Sequence, residues 1–146
     1  MARSKPERSR QAARDAVAQA GVEAARPSLR DPFTGELRRR EVLPLLVLHF
    51  IGEGPSYGNQ LMERIAEITK GVLSVNPNTM YPLLRQLESR GLIRGRWEHP
   101  ERRTRRFYEL TAAGRKEYAQ LEEQVRPFLE AVRSSIEEIV REVYDT

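Results

Sequence analysis

The run Asn76-Pro77-Asn78-Thr79-Met80-Tyr81-Pro82-Leu83-Leu84-Arg85-Gln86-Leu87-Glu88-Ser89-Arg90-Gly91 decides how this chain folds. Asn76 is the expected N-cap of a helix, and Pro77 fits the first helical position, where its missing N–H is no loss. Met80, Leu83, Leu84 and Leu87 then repeat at i, i+3, i+4 and i+7 until Gly91 stops the helix. One stripe is therefore built for burial. The complementary face carries Asn78, Tyr81, Arg85 and Ser89, so the side that is not anchored is polar.

Towards the N-terminus, Ser56 after Pro55 is the expected N-cap of a helix with Leu61, Ile65 and Ile68 on one side, stopped by Gly71 just after Lys70. Before it, Val42 to Ile51 is apolar nearly all round and ends at Gly52 and Gly54, which suits the centre of a fold or of a dimer. Pro44 fits its first turn. Towards the C-terminus, Leu92 to Glu98 predicts a strand, His99 to Thr104 a charged tip and Arg105 to Leu110 a returning strand. Thr111 caps a last helix reaching about Val143, in which Tyr118, Val125, Val132 and Ile139 recur every seven residues. Leu121 and Phe128, then Leu129, Ile136 and Val143, supply the second position of a seam that drifts by one residue. Pro127 should kink this helix. The fold class is mainly α with a small β-hairpin wing, a winged helix-turn-helix followed by a long C-terminal dimerisation helix.

Of the 146 residues, 39% are hydrophobic and 32% charged, enough for one soluble domain with some chain to spare. Net charge is +4, but its placement says more than its sign. Between Arg90 and Arg106 seven arginines stand against two glutamates, whereas Arg115 to Thr146 holds five basic and eight acidic residues. Positive charge is thus segregated onto the hairpin. The absence of Cys excludes a disulfide framework, a thiolate zinc site and a Cys nucleophile. The two His are too far apart for one helical turn, so neither metal nor cofactor is expected, and a reducing, cytoplasmic setting fits. No apolar stretch approaches the ~20 residues of a membrane span, and the N-terminus lacks the apolar region of a signal peptide. No membrane partner is expected. Residues 1–36 carry seven basic against five acidic side chains, with Ala the main apolar residue and Pro at 6, 27 and 32. They are taken as a basic, disordered tail with nascent helix; their interspersed acids argue against an organelle transit peptide. The expected division is 1–36 tail, 37–110 winged helix-turn-helix domain and 111–146 dimerisation helix.

From about Leu37 to Val143 the chain resembles the PadR-like winged helix-turn-helix transcriptional regulators. The resemblance rests on Gly54-Pro55-Ser56-Tyr57-Gly58, on Asn78-Thr79-Met80-Tyr81-Pro82-Leu83-Leu84 continuing to Leu87-Glu88, on Gly91-Leu92-Ile93, and on Arg106-Phe107-Tyr108-Glu109-Leu110-Thr111 with Gly114. The single helix after the wing is similar to the shorter branch of the family, in which that helix builds the dimer. One departure is Asn59, where the family often carries Tyr, and residues 1–36 have no counterpart in the short members. The resemblance implies a homodimeric repressor that reads an inverted-repeat operator in double-stranded DNA and is released by a small ligand or a cell-state signal.

On the residues themselves, Asn78 can pair bidentately with an adenine edge, and Thr79 can reach a phosphate or a thymine methyl. Tyr81 and Arg85 lie on the same outer face; the alternative for Tyr81 is packing under the wing. Arg102, Arg103, Arg105 and Arg106 are the expected phosphate clamp, since Arg forks match phosphate oxygens and clustering is rewarded by counterion release. Tyr118, Leu121, Val125, Phe128, Val132, Ile136 and Ile139 are the expected dimer interface. Trp97 and His49 are the candidate contacts for a small aromatic or hydrophobic effector; the alternatives are strand packing for Trp97 and a satisfied core or dimer-cleft role for His49. A competing class is a winged-helix protein-interaction module without specific DNA readout. An enzyme is disfavoured: no nucleophile with a base and no convergent carboxylates stand out, and Glu122, Glu123, Glu137 and Glu138 look like exposed solvation.

Overall fold

In a computed structural model, residues 41–99 and 101–145 are described. Helix α1, Val42–Glu53, buries Val42, Leu43, Val47, Leu48, Phe50 and Ile51, as its all-round apolar pattern requires. Each such aliphatic side chain removed from water contributes about 1.5–3 kcal/mol. Strand β1, Ser56–Tyr57, comes next, and helix α2, Gly58–Ile68, starts only after it. Ser56 is therefore not the N-cap of α2. It is buried in the sheet opposite Tyr108, and its Oγ donates to the Gly54 carbonyl at 2.9 Å. The start of α2 is closed instead by Gln60, whose Oε1 accepts from the Tyr57 N–H at 3.0 Å.

Leu61 and Ile65 of α2 are fully buried, and the chain then turns through Lys70 and Gly71, both at positive φ. Helix α3, Pro77–Ser89, has the expected start: Asn76 Oδ1 accepts from the Thr79 N–H at 3.1 Å. Met80, Leu84 and Leu87 anchor it. Strands β2, Ile93–His99, and β3, Arg102–Leu110, form the wing, and β1 adds to it in the antiparallel order β1-β3-β2. The pairs Ile93↔Leu110, Gly95↔Tyr108 and Trp97↔Arg106 set the register, and the strands pair as far out as His99↔Arg102.

Helix α4, Ala112–Tyr144, is fastened to the base of the wing by Thr111. The Thr111 Oγ1 accepts from the Gly114 N–H at 3.0 Å and donates to the Gly91 and Leu92 carbonyls at 2.7 and 3.0 Å. Only glycine fits at 114, because a Cβ there would lie 2.0 Å from the Leu92 carbonyl oxygen. The helix continues without a break through Pro127. Its first half lies along α1, and Leu121 and Val125 are 4% and 2% exposed. Those two were expected to face a partner chain. They are instead part of the protomer's own core, because α1 supplies the surface that their stripe needs. From Leu129 on, only Val132 is half-buried, while Ile136 and Ile139 are more than half exposed.

Candidate nucleic-acid interface

Helix α3 presents Asn78, Pro82, Arg85 and Ser89 at spacings of four, three and four residues, all exposed and opposite its buried stripe. Neither Asn78 nor Arg85 has a side-chain hydrogen bond or ion pair among the described residues, so both are available to a ligand. Pro82 lacks an N–H, which leaves the Asn78 carbonyl without its usual helical donor. Thr79 is half-buried and turned to the flank nearer α1, where it lines a groove with Leu43, Pro44, Leu83 and Gln86.

Tyr81 lies on the other flank. Its ring covers Gly58 so closely that a Cβ there would sit 2.7 Å from Tyr81 Cε1. Tyr81 therefore packs against the start of α2 while remaining 37% exposed. Together with Tyr57, Asn59, Arg85, Arg105, Arg106 and Tyr108 it lines an open cleft of about 370 Å³ between α2, α3 and the wing. Burial pushes the Tyr108 phenol up, and the neighbouring arginines pull it partly back. Glu98 raises that of Tyr57 by a hydrogen bond. Both hydroxyls thus remain protonated donors at neutral pH.

The wing arginines divide according to the pleat. Arg105 is exposed on the outer face, and its guanidinium stacks 3.6 Å from the centre of the Tyr57 ring, beside Phe107. Arg106 is on the inner face, like Tyr108 and Leu110, where Nη2 donates to Glu88 at 2.9 Å. Arg106, expected in the phosphate clamp, thus has an acidic partner within the protomer, and strand alternation from the buried Tyr108 would have shown that it points inward. Arg96 and Arg90 are also paired, with Glu109 at 2.8 Å and Glu117 at 3.4 Å. The excess positive charge counted along the hairpin is thereby partly neutralised. The expectation for Arg102 and Arg103 falls on side chains outside those described. Gln86, exposed beside the α3 face, was not singled out, although helical spacing from Asn78 could have found it; Asn59, noted only as a departure from the family, is exposed at the start of α2 and lines the cleft.

His49 and Trp97 are not brought together. His49 lies on α1, where Nδ1 meets the Tyr118 hydroxyl at 2.9 Å and Nε2 meets Glu53 at 3.2 Å. Arg64 holds that glutamate from α2 at 2.6 Å and lowers its pKa, chiefly through this hydrogen bond. His49 and Tyr118 also line a groove of about 420 Å³ between α1 and α4, with Leu45, Leu46, Ile68 and Leu129. Trp97 is on the wing, near the Arg106 guanidinium. Of the remaining seam residues, Tyr118, Phe128 and Val132 are half-buried, and Ile136 and Ile139 are exposed. Among the described residues there is no cluster of metal-ligating side chains and no helix long and apolar enough to cross a membrane.

Residues 47–120 match the model of the transcriptional regulator PadR-like family. A transcriptional regulator of Mycobacterium tuberculosis is 32% identical over 105 residues, which cover 72% of this chain and 85% of that protein. A PadR family regulator from Eggerthella lenta is similar in structure, with a TM-score of 0.57 and 31% identity, covering 73% of this chain and 90% of that one. A transcriptional regulator from Clostridium thermocellum gives a TM-score of 0.59 at 25% identity, over 68% of this chain and 96% of the other. With a family match spanning the anchored α3 helix, the wing and the start of α4, this chain belongs to the PadR-like family of transcriptional regulators.

Proposed function

We propose that the chain is a cytoplasmic, homodimeric repressor whose two α3 helices enter successive major grooves of an inverted-repeat operator. The observation that carries this reading is the exposed α3 face: among the described residues, Asn78 and Arg85 have no side-chain hydrogen bond or ion pair, above a stripe that fixes the helix. Asn78 reads a base edge, and Arg85 with Arg105 and the Tyr81 hydroxyl holds backbone phosphate around the cleft. The second copy docks on the uncovered end of α4, where Ile136, Ile139, Val140, Val143 and Tyr144 are each more than 40% exposed. A small aromatic or hydrophobic effector in the α1–α4 groove then shifts the two reading heads relative to each other. Residues 1–36, proposed as an extra electrostatic arm along DNA, lie outside the described residues.

The test is competition. A labelled fragment from just upstream of the chain's own gene is titrated with unlabelled random duplex. A repressor of this kind holds its operator against a large excess of competitor, since specific sites exceed random DNA by roughly 10³-fold or more. Release by equimolar random duplex would leave an interaction module with only electrostatic affinity for DNA, a reading that the internally paired Arg90, Arg96 and Arg106 favour.

A further inference from the structure

Glu88, in the last turn of α3, ties both long strands of the wing with one carboxylate oxygen. Its Oε2 accepts from Arg106 Nη2 on β3 at 2.9 Å and from the Gly95 N–H on β2 at 3.2 Å. Strand β2 is an edge of the sheet, so this Gly95 N–H points away from β3, and Glu88 is its acceptor. The rest of the arrangement is shaped around the guanidinium. A Cβ at position 95 would lie 2.2 Å from Arg106 Nη2 and would displace the guanidinium from this place, which glycine leaves open. The rings of Trp97 and Tyr108 stand 5.4 and 5.7 Å from its Cζ. Arg106 Nε is shut off from solvent and has no hydrogen-bond partner among the described residues. Both charged side chains are about one-third exposed, which shields the pair more than an ordinary surface bridge.

We infer that Glu88 and Arg106 are positioning residues that lock the wing onto the recognition helix, with Gly95 making room for the lock. Arg106 acts on DNA only through the angle it sets. Turning its guanidinium out to a phosphate would strip Glu88 of its cation and leave the Gly95 N–H alone on Glu88. Held in place, it fixes β3, and the pleat then aims the neighbouring Arg105 outward, beside the open cleft. The lock rests on the DNA-binding reading above, and it makes a prediction opposite in sign to simple electrostatics. Removing a glutamate charge from a DNA-binding surface should tighten binding to any duplex; removing half of a lock should loosen binding to the specific one.

The experiment uses the full chain, a duplex selected from a random pool by repeated binding to the wild type, and a random duplex. Binding is followed by fluorescence anisotropy over a range of salt. Glu88→Gln and Arg106→Gln should each weaken the selected duplex by roughly tenfold and leave random DNA within about twofold. The double variant should be no weaker than the poorer single one. The slope of log K against log salt should stay the same in all of them, because no phosphate contact is lost. The chain's single tryptophan is Trp97, beside Arg106, so its emission should shift in Glu88→Gln while the thermal transition remains cooperative. Arg106→Lys, which keeps a charged donor for the single Glu88 contact, should retain more of the preference than Arg106→Gln does. The lock is overturned if Arg106→Gln reduces the salt slope by about 1 and weakens both duplexes alike, or if Glu88→Gln tightens both. If the wild type shows no preference between duplexes, the DNA-binding reading fails on its own; an unshifted Trp97 emission in Glu88→Gln then overturns the lock as well.

Discussion

The two halves of α4 carry one seven-residue pattern and meet two different fates. In the first half Leu121 and Val125 are sealed against the protomer, whereas in the second Ile136 and Ile139 stand in solvent at 52% and 59% exposure. The recurrence itself is the same: Val125 to Val132 to Ile139. A heptad seam therefore says that a helix needs an apolar partner, and it leaves open which chain supplies one. Where α1 runs beside α4 the partner is internal. Beyond it, the proposed partner is a second copy.

Substitutions can break this contrast directly. The largest expected effect is Val125→Asp, which puts an unpaired carboxylate in the core and should cost about 3–5 kcal/mol, enough to unfold a marginal domain in a denaturant titration. Leu121→Ala should lose about 2–5 kcal/mol through lost burial and the cavity it leaves. Ile136→Asp combined with Ile139→Asp should instead leave a folded chain that sediments as a monomer, with a melting temperature that no longer rises with protein concentration. A double variant that unfolds like Val125→Asp would place the outer half of α4 in the protomer's core and erase the distinction.

Smaller changes sharpen it. Tyr118→Phe removes the hydrogen bond to His49 that joins the inner half of α4 to α1, and should cost about 1 kcal/mol. Burial raises the Tyr118 phenol above its ordinary value, so the folded chain holds this proton more tightly than the unfolded one. Its contribution is complete below about pH 10 and is lost as the pH rises through the higher folded value. The Phe variant should lack that part of the alkaline loss in unfolding curves measured between neutral and high pH. At the other end, Arg133→Ala breaks an exposed pair with Glu130 one turn away, and should change stability by less than about 0.5 kcal/mol.

How much of this was legible in the sequence follows the range of the interactions. Caps and stripes are local, so the starts of α3 at Asn76 and α4 at Thr111 could be read directly, as could the buried faces of α1 and α3. Strand β1 could not, because Ser56 and Tyr57 become a strand only by pairing with residues some fifty positions away. To a local reading, Ser56 before a helical pattern is an N-cap. Arg106 is an intermediate case: alternation from Tyr108 shows that it points inward, while the charge of its neighbours suggests a clamp. That Arg85 and Asn78 share an exposed face of α3 was legible from helical spacing alone. The destination of the α4 seam required knowing how far α1 reaches, which no periodicity records.

The account stands or falls on α3 reading bases while the wing holds phosphate, and one paired titration tests that most directly. Asn78→Ala and Arg105→Ala are each measured on the selected duplex and on random duplex at several salt concentrations. Asn78→Ala should lose roughly 1–3 kcal/mol on the selected duplex alone, with an unchanged salt slope, and Arg105→Ala should weaken both duplexes and lower the slope by about 1. Equal losses on both duplexes for Asn78→Ala would contradict base reading by α3.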